Sequence, residues 1–123
     1  MDDIRITIPL RLPGLNEYTR ENRANKNQGA RMKKEYETII GYYLRDVPVL
    51  RPPVTIDFLW IEENRRRDLD NIAFAKKFIL DALVKSKKLK DDNRKVVTAF
   101  RDSFAYAEES AVILTIHQEQ ADA

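Results

Sequence analysis

A chain of 123 residues with 43% hydrophobic and 34% charged residues has the make-up of one core-forming domain, not of a disordered segment. The absence of cysteine excludes disulfides, thiolate metal sites and cysteine nucleophiles, and a single histidine, His117, excludes any centre built from several imidazoles. Net charge is only +2, no apolar run approaches the ~18 residues of a membrane span, and Asp2 and Asp3 do not suit a signal peptide, so a cytoplasmic protein without membrane contact is expected.

In chain order, Ile4, Ile6 and Ile8 alternate with Arg5 and Thr7, which predicts a half-buried strand over residues 4–10 with Pro9 at its edge or end. Pro13 and Gly14 break it. Residues 13–29 then read as a basic polar loop carrying Tyr18, Arg20, Arg23 and Lys26, a pattern that suits an arm along a phosphate backbone and a plain flexible loop equally. From Arg20 to Lys34 there are six basic residues against one acid, Glu21. Beyond Arg101 no lysine or arginine remains, while Asp102, Glu108, Glu109, Glu119 and Asp122 are acidic. Such segregation is what a nucleic-acid face backed by an opposite solvated side requires, and ordinary solvated faces produce it too.

Met32, Tyr36, Ile39, Ile40, Tyr43 and Leu44 fall at helical spacing and predict an amphipathic helix over 30–45 with its apolar side in the core. Pro48, Pro52 and Pro53 mark a connection, and VTIDFLWI over 54–61 reads as a strand with Trp60 packed. A second helix is expected over 71–87, capped by Asp70 or Asn71 and carrying Ile72, Ala75, Phe78, Ile79, Ala82 and Leu83 as its buried stripe. After a charged turn, residues 94–104 predict a third strand. Residues 111–117 predict a fourth, paired antiparallel with the third, and 118–123 a frayed tail. The class is α+β: a small single domain over 1–123, with a mixed four-stranded sheet and two helices.

The unusual stretch is RRRDLDNIAFAKKFILDALVKSKKLKDD, residues 65–92. Acids embedded in so basic a segment are reconciled by a divalent cation that they hold and that faces a phosphodiester. If the chain is extended before the helix, Asp68 and Asp70 point the same way and repel one another unless a cation such as Mg²⁺ lies between them. Helix capping is the competing explanation of Asp-x-Asp-Asn. Capping does not apply to Asp91 and Asp92 beyond the helix end, although the surrounding lysines and arginines are able to neutralise them. Lys77 stands seven positions after Asp70, nearly on the same helical face, within reach of a phosphate, with Lys76 beside it. Arg65, Arg66 and Arg67 are phosphate forks that specify affinity more than sequence.

Taken together, RRRDLDN, a lysine-bearing helix ending in LDAL, and KDD before a strand resemble the RusA family of Holliday-junction resolvases, and IPLRLPGLNEYTR is similar to that family's opening. The resemblance covers most of the chain, most specifically residues 65–97. It implies a small homodimeric endonuclease of phage or prophage type. Such an enzyme uses Mg²⁺ (or Mn²⁺) and nicks four-way DNA junctions in opposed strands. It places Asp68, Asp70 and Asp92 as catalytic metal-binding aspartates, with Asp91 as a possible substitute. The family's lysine stands four residues after the second aspartate, where this chain has Phe74. The segment between DN and DAL is three residues longer here, so counting back from LDAL puts Lys77 in that place. Three alternatives remain: a non-cleaving binder of branched DNA with the same fold, a metal-dependent nuclease of linear DNA or RNA, and a small structural protein with no nucleic-acid role.

Overall fold

The computed structural model describes residues 3–119. Along β2 (Val54–Glu62) every second side chain, Val54, Ile56, Phe58, Trp60 and Glu62, is buried, and the residues between them are half-exposed. This two-residue period makes β2 the spine of a sheet with one covered face. β4 (Ala111–Gln118) runs antiparallel to it and buries Val112, Leu114 and Ile116 in the same way. β1 (Asp3–Ile8) pairs antiparallel with the outer side of β4, and β3 (Val97–Tyr106) pairs parallel with the other side of β2. Among the described residues the sheet is four-stranded and mixed, in the order β1-β4-β2-β3.

Helices cover the face that carries Ile8, Ile56, Phe58, Trp60, Leu114 and Ile116. They are α1 (Leu15–Ala24), α2 (Gln28–Tyr43), α3 (Leu69–Ala73) and α4 (Lys76–Lys85). Ile40 and Leu44 from the α2 segment and Phe78, Ile79 and Leu83 from α4 enter one continuous core with the sheet residues. The chain is thus one small α+β domain with a mixed four-stranded sheet, the class expected from its hydrophobic pattern.

Four details depart from the sequence expectation. The expected basic loop over 13–29 is largely α1, although α1 buries no residue completely. Contacts from elsewhere hold it: the Asn16 N–H donates to Asn71 Oδ1 at 2.9 Å, and the Tyr18 ring lies 5.5 Å from that of Phe74. Helix formation there is a tertiary effect, invisible to local apolar periodicity.

The third and fourth strands do not pair with each other. A helical crossover from β2 makes β3 parallel to β2. Residues 107–110 then pass over the end of β2, where the Ala107 N–H donates to the Glu62 carbonyl, and β4 enters on its far side. Crossing one strand requires ~10 Å, which four residues span easily. The chain end is also tied down as far as Glu119, whose N–H donates to the Arg51 carbonyl, in place of the fraying expected from residue 118. The rest of the expected tail lies outside the described residues.

Finally, the expected helix over 71–87 is two pieces. Ala75, Lys77 and Phe78 donate to carbonyls three residues back, at Ile72, Phe74 and Ala75, which is a 3₁₀-type tightening between α3 and α4.

On the uncovered sheet face His117 bridges two strands. Its Nδ1 lies 2.8 Å from Asp3 Oδ1 and its Nε2 3.0 Å from Asp57 Oδ2. A neutral imidazole donates from one nitrogen only, so two carboxylate partners favour the imidazolium. Hydrogen bonds to Asp57 and then Asp3 raise the His117 pKa above 6.5 against a small opposing effect of burial. Because the folded value is the higher one, this stabilisation is complete below about pH 6.5 and disappears as pH rises through the raised folded value. In urea unfolding, the stability difference between wild type and His117→Asn is expected to be larger at about pH 6 than at about pH 9. Equal differences at both pH values would show that the bridge contributes nothing.

Candidate functional site

The segment between β2 and α3 is anchored by its third arginine. Arg67 Nε and Nη2 donate to the two oxygens of Glu62 at 2.9 and 2.8 Å, a bidentate pair, and Nη1 donates to the Leu12 carbonyl at 3.0 Å. Both side chains are about nine-tenths buried. Arg67 is therefore a structural residue, not the phosphate fork expected from the Arg65–Arg66–Arg67 run, because its donors are already committed inside the protein. Glu17 lies 3.4 Å from the same guanidinium and 3.1 Å from Arg11. Burial pushes the Glu17 carboxyl up, but bonds from Arg11 and the Gly14 N–H, with the charges of Arg11 and Arg67, hold it below its ordinary value. Arg65 lies over the Tyr106 ring at 4.6 Å, and the Arg65 and Arg66 residues are exposed.

Directly after this anchor come the aspartates. Asp68 occupies the N-cap position of α3 with extended backbone (φ −69°, ψ 155°), yet its carboxylate makes no capping hydrogen bond. Asp70 accepts one bond, from the N–H of its neighbour Asn71 at 3.0 Å. Both residues are exposed, and neither has an ion-pair partner among the described residues. Asp70 already belongs to the first turn of α3, with the Ile72 N–H bonded to the Asp68 carbonyl, so the extended i, i+2 geometry expected of the pair does not hold.

The tight turn after α3 shifts both lysines relative to Asp70. Residues wound at ~120° instead of ~100° rotate the following helix, carrying Lys77 away from Asp70 and Lys76 toward it. Lys76 and Asp70 line a groove of about 530 Å³ with Leu69, Phe74, Phe104 and Asp102. The Lys76 ammonium is 2.6 Å from Asp102 Oδ2 and 4.6 Å from the Phe100 ring centre, and Trp60 Nε1 donates to Asp102 Oδ1 at 2.9 Å. Lys77, expected nearly on the helical face of Asp70, has its ammonium 3.4 Å from Asp81 and 3.9 Å from Asp92. There it joins an alternating series, Lys85, Glu37, Lys33, Asp81, Lys77 and Asp92, whose successive separations are 2.6, 3.9, 2.8, 3.4 and 3.9 Å. Within it the hydrogen bond to Asp81 is the main reason the Lys33 pKa lies above its ordinary value.

Asp92 thus faces Lys77. Among the described residues no three Asp, Glu or His side chains gather where one cation would hold them together. The three-aspartate cradle of Asp68, Asp70 and Asp92 is not assembled. Asp91 accepts from the Asp92 N–H at 2.7 Å and from Asn93 Nδ2 at 3.0 Å, the bonds of a local turn. The pair Asp68 and Asp70 does suit Mg²⁺, which takes one or two carboxylates and completes its shell with water and phosphate oxygens. Arg20 and Arg23, on α1, and Lys26, just beyond it, are exposed.

No protein-family model matches the chain, and no curated protein matches it.

Asp102 was not singled out from the sequence, yet a signal was present. In the strand FRDSF it alternates with Phe100 and Phe104, so period two puts a carboxylate in an aromatic row. Arg67→Met leaves Glu62 buried without its counter-charge, and is expected to cost about 3–5 kcal/mol in denaturant unfolding. Arg65→Ala is expected to cost under about 0.5 kcal/mol in the same measurement. Similar losses for both would remove the distinction drawn between them.

Proposed function

We propose that the chain is a divalent-metal-dependent endonuclease that resolves four-way DNA junctions by paired phosphodiester hydrolysis, acting as a cytoplasmic homodimer in DNA recombination and repair. The observation that carries this reading is the pair Asp68 and Asp70. These are exposed carboxylates at the head of α3, bound neither as caps nor as ion-pair partners, and separated from the exposed Arg65 and Arg66 only by the structural Arg67. Asp68 and Asp70 would hold Mg²⁺ or Mn²⁺, which would supply Lewis-acid charge for the phosphodiester and an activated water. The exposed guanidiniums of Arg65 and Arg66 hold backbone phosphates by charge and hydrogen bonding without reading sequence. Lys76, fixed by Asp102 beside Asp70, directs positive charge into the groove where charge develops on the phosphate. A two-fold dimer would present two such sites to opposed strands.

A second reading is favoured by the Asp92–Lys77 contact: a protein that grips branched DNA without cutting it, since the third aspartate does not join the other two. Incubating the protein with synthetic four-way junctions, with and without Mg²⁺ or Mn²⁺, separates the readings. Metal-dependent paired nicks are expected, with Asp70→Asn abolishing them while junction binding survives. Lys76→Met is expected to slow nicking by about 10²-fold, and Lys77→Met by less than tenfold. Junctions bound but left intact at every metal concentration would establish the non-cleaving reading. Flap, linear and RNA substrates cut in preference to junctions would reassign the substrate.

A further inference from the structure

A second cavity, of about 420 Å³, shares no lining residue with the Lys76 groove. It is lined by Arg11, Arg20, Arg66 and Arg67, together with Glu17 and Asn71. Arg67 is committed to Glu62, and Arg11 is paired with Glu17. Arg20 and Arg66 have no ion-pair partner among the described residues, and four arginines against Glu17 and Glu62 leave a surplus of two positive charges.

Asn71 gives this cavity a built donor. The residue is 8% exposed. Because the Asn16 backbone N–H is itself a donor, the group facing it at 2.9 Å must be the amide oxygen of Asn71. A Cβ at Gly14 would come within 2.5 Å of that oxygen, so the approach of α1 to Asn71 is close and the orientation of the amide is set. Nδ2 is then the remaining end, and it has no hydrogen-bond partner among the described residues. A donor with no protein partner among the described residues, on a side chain otherwise packed against α1 and lining the cavity beside two unpaired guanidiniums, is arranged for an acceptor-only anion. A cation is repelled by the surplus charge, and a neutral ligand leaves that charge uncompensated.

We propose that this cavity is a phosphate subsite in which Arg20, Arg66 and Asn71 Nδ2 hold one tetrahedral oxyanion, supplied in function by a backbone phosphodiester of the DNA. The identity of that source rests on the nuclease reading; the anion chemistry does not. Asn71 directly follows Asp70, so a phosphate held here sets the register in which the strand meets Asp68 and Asp70.

The test uses the full-length protein labelled with ¹⁵N and titrated with inorganic phosphate. The Asn71 side-chain amide and the Asn16 N–H are expected to shift saturably. Asn71→Asp keeps an acceptor for Asn16 but replaces the free donor with a carboxylate oxygen, and is expected to weaken phosphate binding at least tenfold. The double variant Arg20→Gln/Arg66→Gln, which leaves the Asn16 bond untouched, is expected to do the same. In a second arm, metal-free binding of a fluorescent four-way junction by the double variant is expected to lose about one unit per bound subunit from the slope of log affinity against log salt. Phosphate that leaves Asn71 unshifted, or binds the double variant as tightly as wild type, overturns the subsite even if junctions are still cut. Saturable shifts at Asn71 without junction binding by any form support the anion site as one for free phosphate and remove the DNA reading instead.

Discussion

The Arg67–Glu62 pair is the interaction on which the arrangement of the site depends. It joins the last residue of β2 to the residue just before Asp68, and through the Leu12 carbonyl and Glu17 it adds the chain entering α1. Two charges removed from water repay their desolvation only with good geometry and satisfied hydrogen bonds. Here the guanidinium meets the carboxylate bidentately and also donates to a backbone carbonyl, so the cost is met by several partners at once. The consequence is positional. The start of α3 is fixed relative to the sheet, and Asp68 and Asp70 can be exposed without being loosely held.

A second constraint is the short 3₁₀-type step between α3 and α4. The tighter turn rotates Lys76 toward the groove that Asp70 lines, while Lys77 joins the alternating charges leading to Asp92. The two neighbouring lysines therefore do different work. Lys76 is braced by Asp102, which is itself held by the buried Trp60, whereas Lys77 ties α4 to the turn that carries Asp92.

Around the head of α3 the charges are arranged by sign. Asp70 faces a groove with one ammonium, and Asn71, the next residue, faces a cavity with a cationic surplus. A helix start carrying acids on one side and phosphate-type donors on another is suited to a polyanion approached together with a cation. Neither feature alone has that property. Carboxylates alone repel a phosphate, and arginines alone bind it without activating it.

Much of the scaffold was legible in the chain itself, because period-two and period-3.6 patterns are local. The strands, the long helix α2, the packed Trp60 and the acids at the head of α3 all follow from neighbours a few residues away. What required the tertiary structure were relations between distant residues. α1 forms because Asn71 and Phe74 receive it, and Arg67 leaves the phosphate-binding set because Glu62 reaches it. β4 inserts beside β2 because the 107–110 loop crosses the strand end. Residue type and spacing specified which groups carry charge and where elements begin. Which of those charges are cancelled inside the protein, and which are left for a ligand, depends on contacts between segments 55 to 114 residues apart, and only the folded chain decides that.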